Sequence, residues 1–176
     1  ARLLEAWAGE LTLINRHREA IAARERALAI HRRRGDRLRE GINLRWLARL
    51  HWFDRGGQGP SIELARQAID TLQPLPASRE LALAYSTLSH LCLVREDMAG
   101  AQLWGLRAIE LAEASDDAEA MTHALNNVGS AILRLRDDAL AWNRLTRSLE
   151  LALQHGLEVD AARAYNNLFI LCVIHH

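Results

Sequence analysis

A repeat of about 40 residues runs through this 176-residue chain and limits what it can fold into. Equivalent triplets recur at spacings of 41, 40 and 40 residues: Arg26-Ala27-Leu28, Gln67-Ala68-Ile69, Arg107-Ala108-Ile109 and Arg147-Ser148-Leu149. The pair Asn126-Asn127 also returns 40 residues later as Asn166-Asn167. A unit of this size cannot bury its apolar face alone, so the repeat predicts stacked units that share a continuous core.

Each unit has the pattern of two α-helices. Apolar or small residues recur with helical spacing, as at Tyr85, Leu88, Ser89 and Cys92. Polar breaks divide the helices, and no stretch alternates with the period of a strand. We therefore predict an all-α protein of nine helices, four pairs and the first helix of a fifth. The predicted units are residues 1–40, 41–81, 82–121, 122–161 and a partial 162–176, in a single repeat domain over 1–176.

The spacing of large and small residues resembles the tetratricopeptide repeat. The third unit carries its pattern at Tyr85, Leu88, Ser89, Cys92, Ala101, Gly105 and Ala108, and the first unit has Ala20, Arg24 and Ala27 in its second helix. The resemblance covers the whole chain and implies a right-handed α-α superhelix of helix pairs. Three features depart from the family pattern: a period longer than its ~34 residues, the absence of its final proline, and Phe169 at a small-residue position.

A narrower resemblance involves the sequence segments 23–29, 45–47 and 124–129. These are similar to the helical-repeat region of large bacterial LuxR-type regulators. In that family an ATPase module precedes the repeats and a helix-turn-helix domain follows them. The resemblance implies that this chain is an excerpt of a longer cytoplasmic protein, and it assigns neither activity to the chain itself.

Charge is unevenly distributed along a chain whose formal net charge is zero. Residues 1–55 hold 13 arginines against 7 acidic residues, while residues 56–176 hold 9 against 15. This asymmetry favours docking of charged partners and argues against direct, nonspecific nucleic-acid binding, which needs a net basic face. No apolar run approaches the ~20 residues that cross a bilayer, so we expect no membrane insertion.

Residues that could support catalysis or metal binding are scattered. Cys92 and Cys172 occupy equivalent positions two units apart, and we predict both to be core residues. The eight histidines lack the ligand spacing of a metal site, and His51 is predicted to lie in the interior or at its edge. The loop at 55–60 lacks the Lys and Ser/Thr of a phosphate-binding loop, and the acidic pairs at 96–97, 116–117 and 137–138 are placed to cap helices. We therefore predict no catalytic site, no metal and no cofactor.

The concave side of the predicted superhelix is the better candidate for a binding site. The residues predicted to form a ligand-binding groove are Arg45, Trp46, Arg49, His90, Asn126, Asn127, Arg163, Asn166 and Asn167, with Ser86, Thr87, His123, Ser130 and Ile170 beside them. An asparagine amide both donates and accepts, so Asn127 and Asn167 could hold an extended backbone in register. Peptide-binding tetratricopeptide domains grip ligand backbone with an asparagine at the matching place, and Arg45 and Arg49 could pair with an acidic group. The alternative is that the asparagines tie helices together and the tryptophans pack beneath them.

The expected function is protein interaction and signal coupling in a larger bacterial transcriptional regulator. The partner would be a protein or peptide segment, or a neighbouring domain of the parent chain. The alternative is a stand-alone scaffold or adaptor for multiprotein assembly or self-association. The last predicted helix has no partner helix in its unit, so we expect an exposed surface near 168–174. The chain could form a homodimer through this surface.

Overall fold

Nine helices follow one another in the computed structural model, which describes residues 1–55, 59–76, 78–135 and 138–174. They are α1 (Arg2–Leu13), α2 (His17–Arg34), α3 (Arg37–Arg55), α4 (Ser61–Leu72), α5 (Ser78–Val94), α6 (Met98–Ala114), α7 (Ala118–Arg134), α8 (Asp138–Gln154) and α9 (Glu158–Ile174). Those ranges contain no strand, and none of their helices is both long and apolar enough to cross a bilayer. The predicted all-α class and the predicted helices are confirmed.

Left-handed backbone conformations end several helices. They occur at Asn15, Gly35, Glu96, Asp116 and Gly156, with φ between 51° and 67°. At three of these turns an aspartate follows and caps the next helix, and one of them is Asp36, which accepts from the N–H of Arg39 at 3.1 Å. The other two belong to the predicted acidic pairs: Asp97 accepts from the N–H of Gly100 at 2.9 Å and Asp117 from that of Ala120 at 2.7 Å. The predicted capping role is confirmed for these two. Asp137, the loop glycines at 56 and 57, and His175 and His176 lie outside the described residues.

The chain divides into two compact units, Ala1–Thr87 and Leu88–His176, and α5 crosses the division. In the first unit α2 contacts α1 and α3, and α3 contacts α4. Small residues lie where these helices meet, and Ala8, Ala20, Ala48 and Ala65 are all fully buried. Their size lets the helix backbones approach closely, while larger side chains such as Leu47 fill the remaining space.

In the second unit α7 is the central helix and contacts α6, α8 and α9. Ser148 of α8 donates to the carbonyl of Thr122 at the start of α7, whereas Ala141 at the start of α8 packs with Ile132 near the end of α7. Residue numbers therefore rise along one helix as they fall along the other, which makes the two helices antiparallel. This is the arrangement expected of a helical hairpin with a short connection.

Helices α7 and α9 of the second unit run parallel. His123 of α7 lies beside Asp160 of α9, and Asn127 lies beside Arg163, so the contacts join residues 37 and 36 positions apart. These offsets are close to the 40-residue repeat of the sequence. Residues of successive repeats therefore meet across α7 and α9, which brings the predicted asparagines together.

The prediction that both cysteines are core residues is wrong for Cys172. Cys92 is buried, but Cys172 is exposed on α9. Helix α9 packs against α7 and α8, and Tyr165, Phe169 and Val173 remain exposed on it. The repeat position that is buried at Cys92 on α5 is therefore exposed to solvent at Cys172 on α9.

Candidate functional site

Two adjacent asparagines on α7 bind side chains of α9. Asn126 and Asn127 are only 2% and 1% exposed. Nδ2 of Asn167 donates to Oδ1 of Asn126 at 2.8 Å, and Nη2 of Arg163 donates to Oδ1 of Asn127 at 3.0 Å. These bonds match the alternative interpretation of the sequence, in which the asparagines tie helices together. The carbonyl of Asn127 is thus engaged by Arg163.

Arg163 is positioned by a carboxylate as well as by Asn127. Its Nη1 lies 3.6 Å from Oδ1 of Asp160, and the same oxygen lies 3.0 Å from Nε2 of His123. Burial lowers the pKa of the Arg163 guanidinium, and the charge of Asp160 and its hydrogen bond oppose that effect. An arginine nevertheless remains protonated at neutral pH. Asp160 therefore keeps the positively charged guanidinium of Arg163 beside the asparagines.

An open cleft of about 490 Å³ lies over these residues in the second unit. Its lining consists of His90, Leu93, Asn126, Ser130, Leu133, Arg134, Arg163, Asn166, Asn167 and Ile170. The lining therefore combines amides, basic groups and apolar side chains, and none of the described residues that form it is acidic. This contrasts with residues 56–176 as a whole, where acidic residues outnumber arginines by 15 to 9.

The structure brings five of the predicted groove residues to this cleft. They are His90, Asn126, Arg163, Asn166 and Asn167. Asn127 lies beneath them in its bond to Arg163. The sequence reasoning missed Leu93, Leu133 and Arg134, which extend the cleft. Each lies three or four residues after a predicted groove position, so continuing the helical spacing by one turn would have found them.

The other three predicted groove residues belong to the first unit. Arg45 and Arg49 of α3 hold their guanidinium carbons 5.0 and 5.1 Å from the ring centroid of Trp46. The sequence reasoning did not select Arg24 of α2, which lies over the same ring at 5.1 Å. No pattern on α3 indicated this residue, because it reaches Trp46 from a neighbouring helix at a position expected to be core.

A second open cavity, of about 520 Å³, lies in the first unit. It is lined by Glu25, Leu28, Ala29, Arg32, Arg33, Leu47, His51, Pro60 and Leu64. His51 is half-buried at its wall, in agreement with the predicted edge position. Within the described ranges no three His, Cys, Asp or Glu side chains gather as a metal ion would require.

Comparison with known proteins finds a similar fold among solved structures. No protein-family model matches the chain, and no curated protein matches it. The crystal structure of BtubC (BKLC) from P. vanneervenii is similar, with a TM-score of 0.71 and 25% sequence identity. The match covers 88% of this chain and 65% of that one. The chain therefore spans less than two thirds of BtubC and is similar to it in its helical fold.

Proposed function

We propose that this chain is a protein-interaction module that binds an extended polypeptide segment in the cleft of its second unit. One observation carries the proposal: Asn126 belongs to the lining of that cleft, and its buried Nδ2 meets no acceptor among the described residues. A buried donor of this kind is uncommon in folded proteins, because an unmade hydrogen bond is unfavourable. A backbone carbonyl of a bound segment would supply the acceptor.

The neighbouring amides suit the same ligand. Asn166 is exposed, and Asn167 is half-buried while it donates to Asn126. Each asparagine side chain has a carbonyl and an NH₂ group, and an extended backbone offers complementary groups at regular intervals. The cleft therefore offers polar contacts to the backbone of the segment through Asn126, Asn166 and Asn167. Other residues of the cleft would determine which side chains of the segment are preferred.

The remaining lining favours a segment with acidic and apolar side chains. Arg134 is exposed and Arg163 is held by Asp160, so two permanent positive charges face the cleft. Arginine pairs with carboxylates through charge-assisted hydrogen bonds. Leu93, Leu133 and Ile170 supply apolar surface for a side chain next to the acidic one.

We place this module in a larger cytoplasmic regulator. The segment at 124–129 resembles LuxR-type repeats, and the parallel register of α7 and α9 is consistent with stacked tetratricopeptide-like pairs in the second unit. A right-handed superhelix of such pairs is what the resemblance implies for the repeats. Binding in the cleft would then be coupled to flanking modules. Sequencing the parent gene tests this proposal. An ATPase module upstream and a helix-turn-helix domain downstream support the regulator. Repeats that end in capping helices, with neither module, favour the stand-alone scaffold.

The cleft itself is tested with an array of fluorescein-labelled octapeptides. One set of these peptides combines leucine with aspartate or glutamate. A second set has the same sequences with lysine in place of the acidic residue. We expect the acidic set to bind, and Arg134→Gln to weaken binding by about tenfold, because one charge-assisted bond is lost. Arg147→Gln is the matched control, since Arg147 is exposed in the same unit and is not among the residues of the cleft. Equal binding of both sets, or equal affinity of both variants, contradicts the proposal.

Self-association is a second candidate, favoured by one face of α9. Tyr165, Phe169 and Val173 follow each other at intervals of four residues and are 55%, 66% and 59% exposed. This spacing places them along one stripe of the helix. A second copy of the chain could cover the stripe and form a homodimer through α9.

A further inference from the structure

The open cavity of about 520 Å³ in the first unit is a groove that follows one face of α2. Its lining takes from α2 five residues with the spacing of a single helical stripe: Glu25, Leu28, Ala29, Arg32 and Arg33. The rest of the lining comes from α3 and from the start of α4, and of these residues only His51 is polar. We call this cavity the α2 groove. It combines an apolar floor with charged groups along α2.

The α2 groove carries opposite charges at its two ends. Glu25 marks the acidic end and Arg33 the basic end; both are exposed, and neither forms an ion pair with another described residue. The neighbouring Arg32 is already engaged, since its Nε lies 2.9 Å from Oε1 of Glu40. Eight residues of α-helix rise by about 12 Å, so an available carboxylate and an available guanidinium lie two helical turns apart.

His51 of α3 adds a hydrogen-bonding group toward the acidic end of the α2 groove. Arg18 of α2 pairs with Asp54 of α3, and Arg32 of α2 pairs with Glu40 of α3, so the two helices are antiparallel. His51 is therefore closer along the helices to the acidic end than to the basic end. Its side chain is half-buried, and its buried Nδ1 meets no partner among the described residues. Because an unmade hydrogen bond at a buried nitrogen is unfavourable, a ligand that supplies one is favoured here.

We propose that the α2 groove binds a short apolar peptide whose two ends are free. The α-amino group of the peptide pairs with Glu25 and its α-carboxylate pairs with Arg33, both through charge-assisted hydrogen bonds. An extended chain spans at most about 3.3–3.6 Å per residue, so about four residues match the rise of α2 between these two positions. Leu28, Leu47 and Leu64 supply apolar surface for the side chains of the peptide. The site lies wholly in the first unit and is independent of the cleft in the second.

Isothermal titration calorimetry of the full chain with the tetrapeptide Ala-Leu-Leu-Ala tests the site. We expect the unaltered chain to bind this peptide and Ala29→Trp to abolish binding. Ala29 is exposed in the lining of the α2 groove, so a large ring at this position fills the groove without disturbing the core. Ala22→Trp is the matched control, because Ala22 is exposed two turns earlier on α2 and lies outside the lining.

Peptides with one blocked end test the two charged contacts separately. Arg33→Gln should weaken binding of the free-ended peptide about fivefold, because one exposed ion pair is lost, and should leave binding of the C-terminally amidated peptide unchanged. Glu25→Gln should weaken binding of the free-ended peptide and leave binding of the N-terminally acetylated peptide unchanged. Arg34→Gln is the control for Arg33, since Arg34 is the next residue, is exposed and lies outside the lining.

The outcomes also separate the α2 groove from the cleft of the second unit. Arg134→Gln, which changes the cleft, should bind the tetrapeptide as the unaltered chain does. Loss of binding in Arg134→Gln but not in Ala29→Trp would place the peptide in the cleft and overturn the proposal. The proposal is likewise overturned if the tetrapeptide does not bind, if Ala29→Trp and Ala22→Trp bind it equally, or if blocking both ends leaves the affinity unchanged.

Discussion

Oδ1 of Asn127 accepts a hydrogen bond from Nη2 of Arg163 over 3.0 Å and so joins α7 to α9 across 36 residues of sequence. The acceptor is almost completely buried, and the donor carries a charge. Hydrogen bonds of this kind are among the stronger ones in proteins. The relationship makes Asn127 a residue on which the packing of two successive repeats depends.

Asn127→Ala should therefore lower the free energy of unfolding by about 2 kcal/mol, because Arg163 loses its amide acceptor. Urea denaturation followed by circular dichroism measures the change. The exposed Asn166 provides the control, and Asn166→Ala should remain within about 0.5 kcal/mol of the unaltered chain. Equal stability of the two variants would mean that the bond between Asn127 and Arg163 contributes little.

Asp160→Asn should also destabilise the second unit. The Asp160 carboxylate lies 3.0 Å from His123 and 3.6 Å from Arg163, and its side chain is only 9% exposed. Removing its charge takes away the carboxylate that pairs with Arg163, so we expect a loss of about 2 kcal/mol in urea denaturation. Glu158→Gln is a close control, because Glu158 also lies in the first turn of α9 but is exposed. The prediction fails if both substitutions change the stability equally, since the effect would then come from the helix dipole.

Gly105→Ala should destabilise the contact between α6 and α7. A Cβ atom at Gly105 would clash with Cγ2 of Val128 and lie 3.0 Å from Oγ of Ser89. Overpacking of this kind lowers stability by about 1–3 kcal/mol, and Val128→Ala in the same chain should recover part of the loss.

The control for Gly105 is Gly9, another helical glycine. A Cβ atom at Gly9 meets nothing within 4 Å, so Gly9→Ala should stabilise the chain by roughly 1 kcal/mol through helix propensity. Differential scanning calorimetry on both variants distinguishes close packing from propensity. A stabilising Gly105→Ala would show that α6 and α7 can move apart without loss.

Phe169→Arg should reduce self-association of the chain. Phe169 is 66% exposed in the apolar stripe of α9, and a charge placed there opposes burial against a second copy. Sedimentation equilibrium should show a concentration-dependent dimer in the unaltered chain and a monomer in the variant. Leu153→Arg on α8 is the control, because Leu153 is 57% exposed but lies on another helix. A chain that stays monomeric at all concentrations, or a dimer that survives Phe169→Arg, contradicts the role of α9.

Much of the fold could be predicted because it depends on local signals. The recurring apolar spacing and the polar breaks located the nine helices, and the paired acidic residues located the caps at Asp97 and Asp117. The same repeat placed the pairs Asn126-Asn127 and Asn166-Asn167 at equivalent positions, so the approach of Asn126 to Asn167 across α7 and α9 is in keeping with the stacking of similar units. Leu93 and Arg134 line the same cleft one helical turn beyond predicted groove positions. The same spacing could have predicted them, but it was not extended that far.

The sequence by itself determined the helices, their order and the asparagines that recur with the repeat, because these follow from spacing along one chain. Only the tertiary structure decided that Asn127 is engaged by Arg163, that Cys172 is exposed and that Arg24 reaches Trp46. Each of these depends on which neighbouring helix covers a given face and on how far a long side chain extends across it. Spacing along the sequence fixes the face of a helix, whereas burial and pairing depend on what packs against that face.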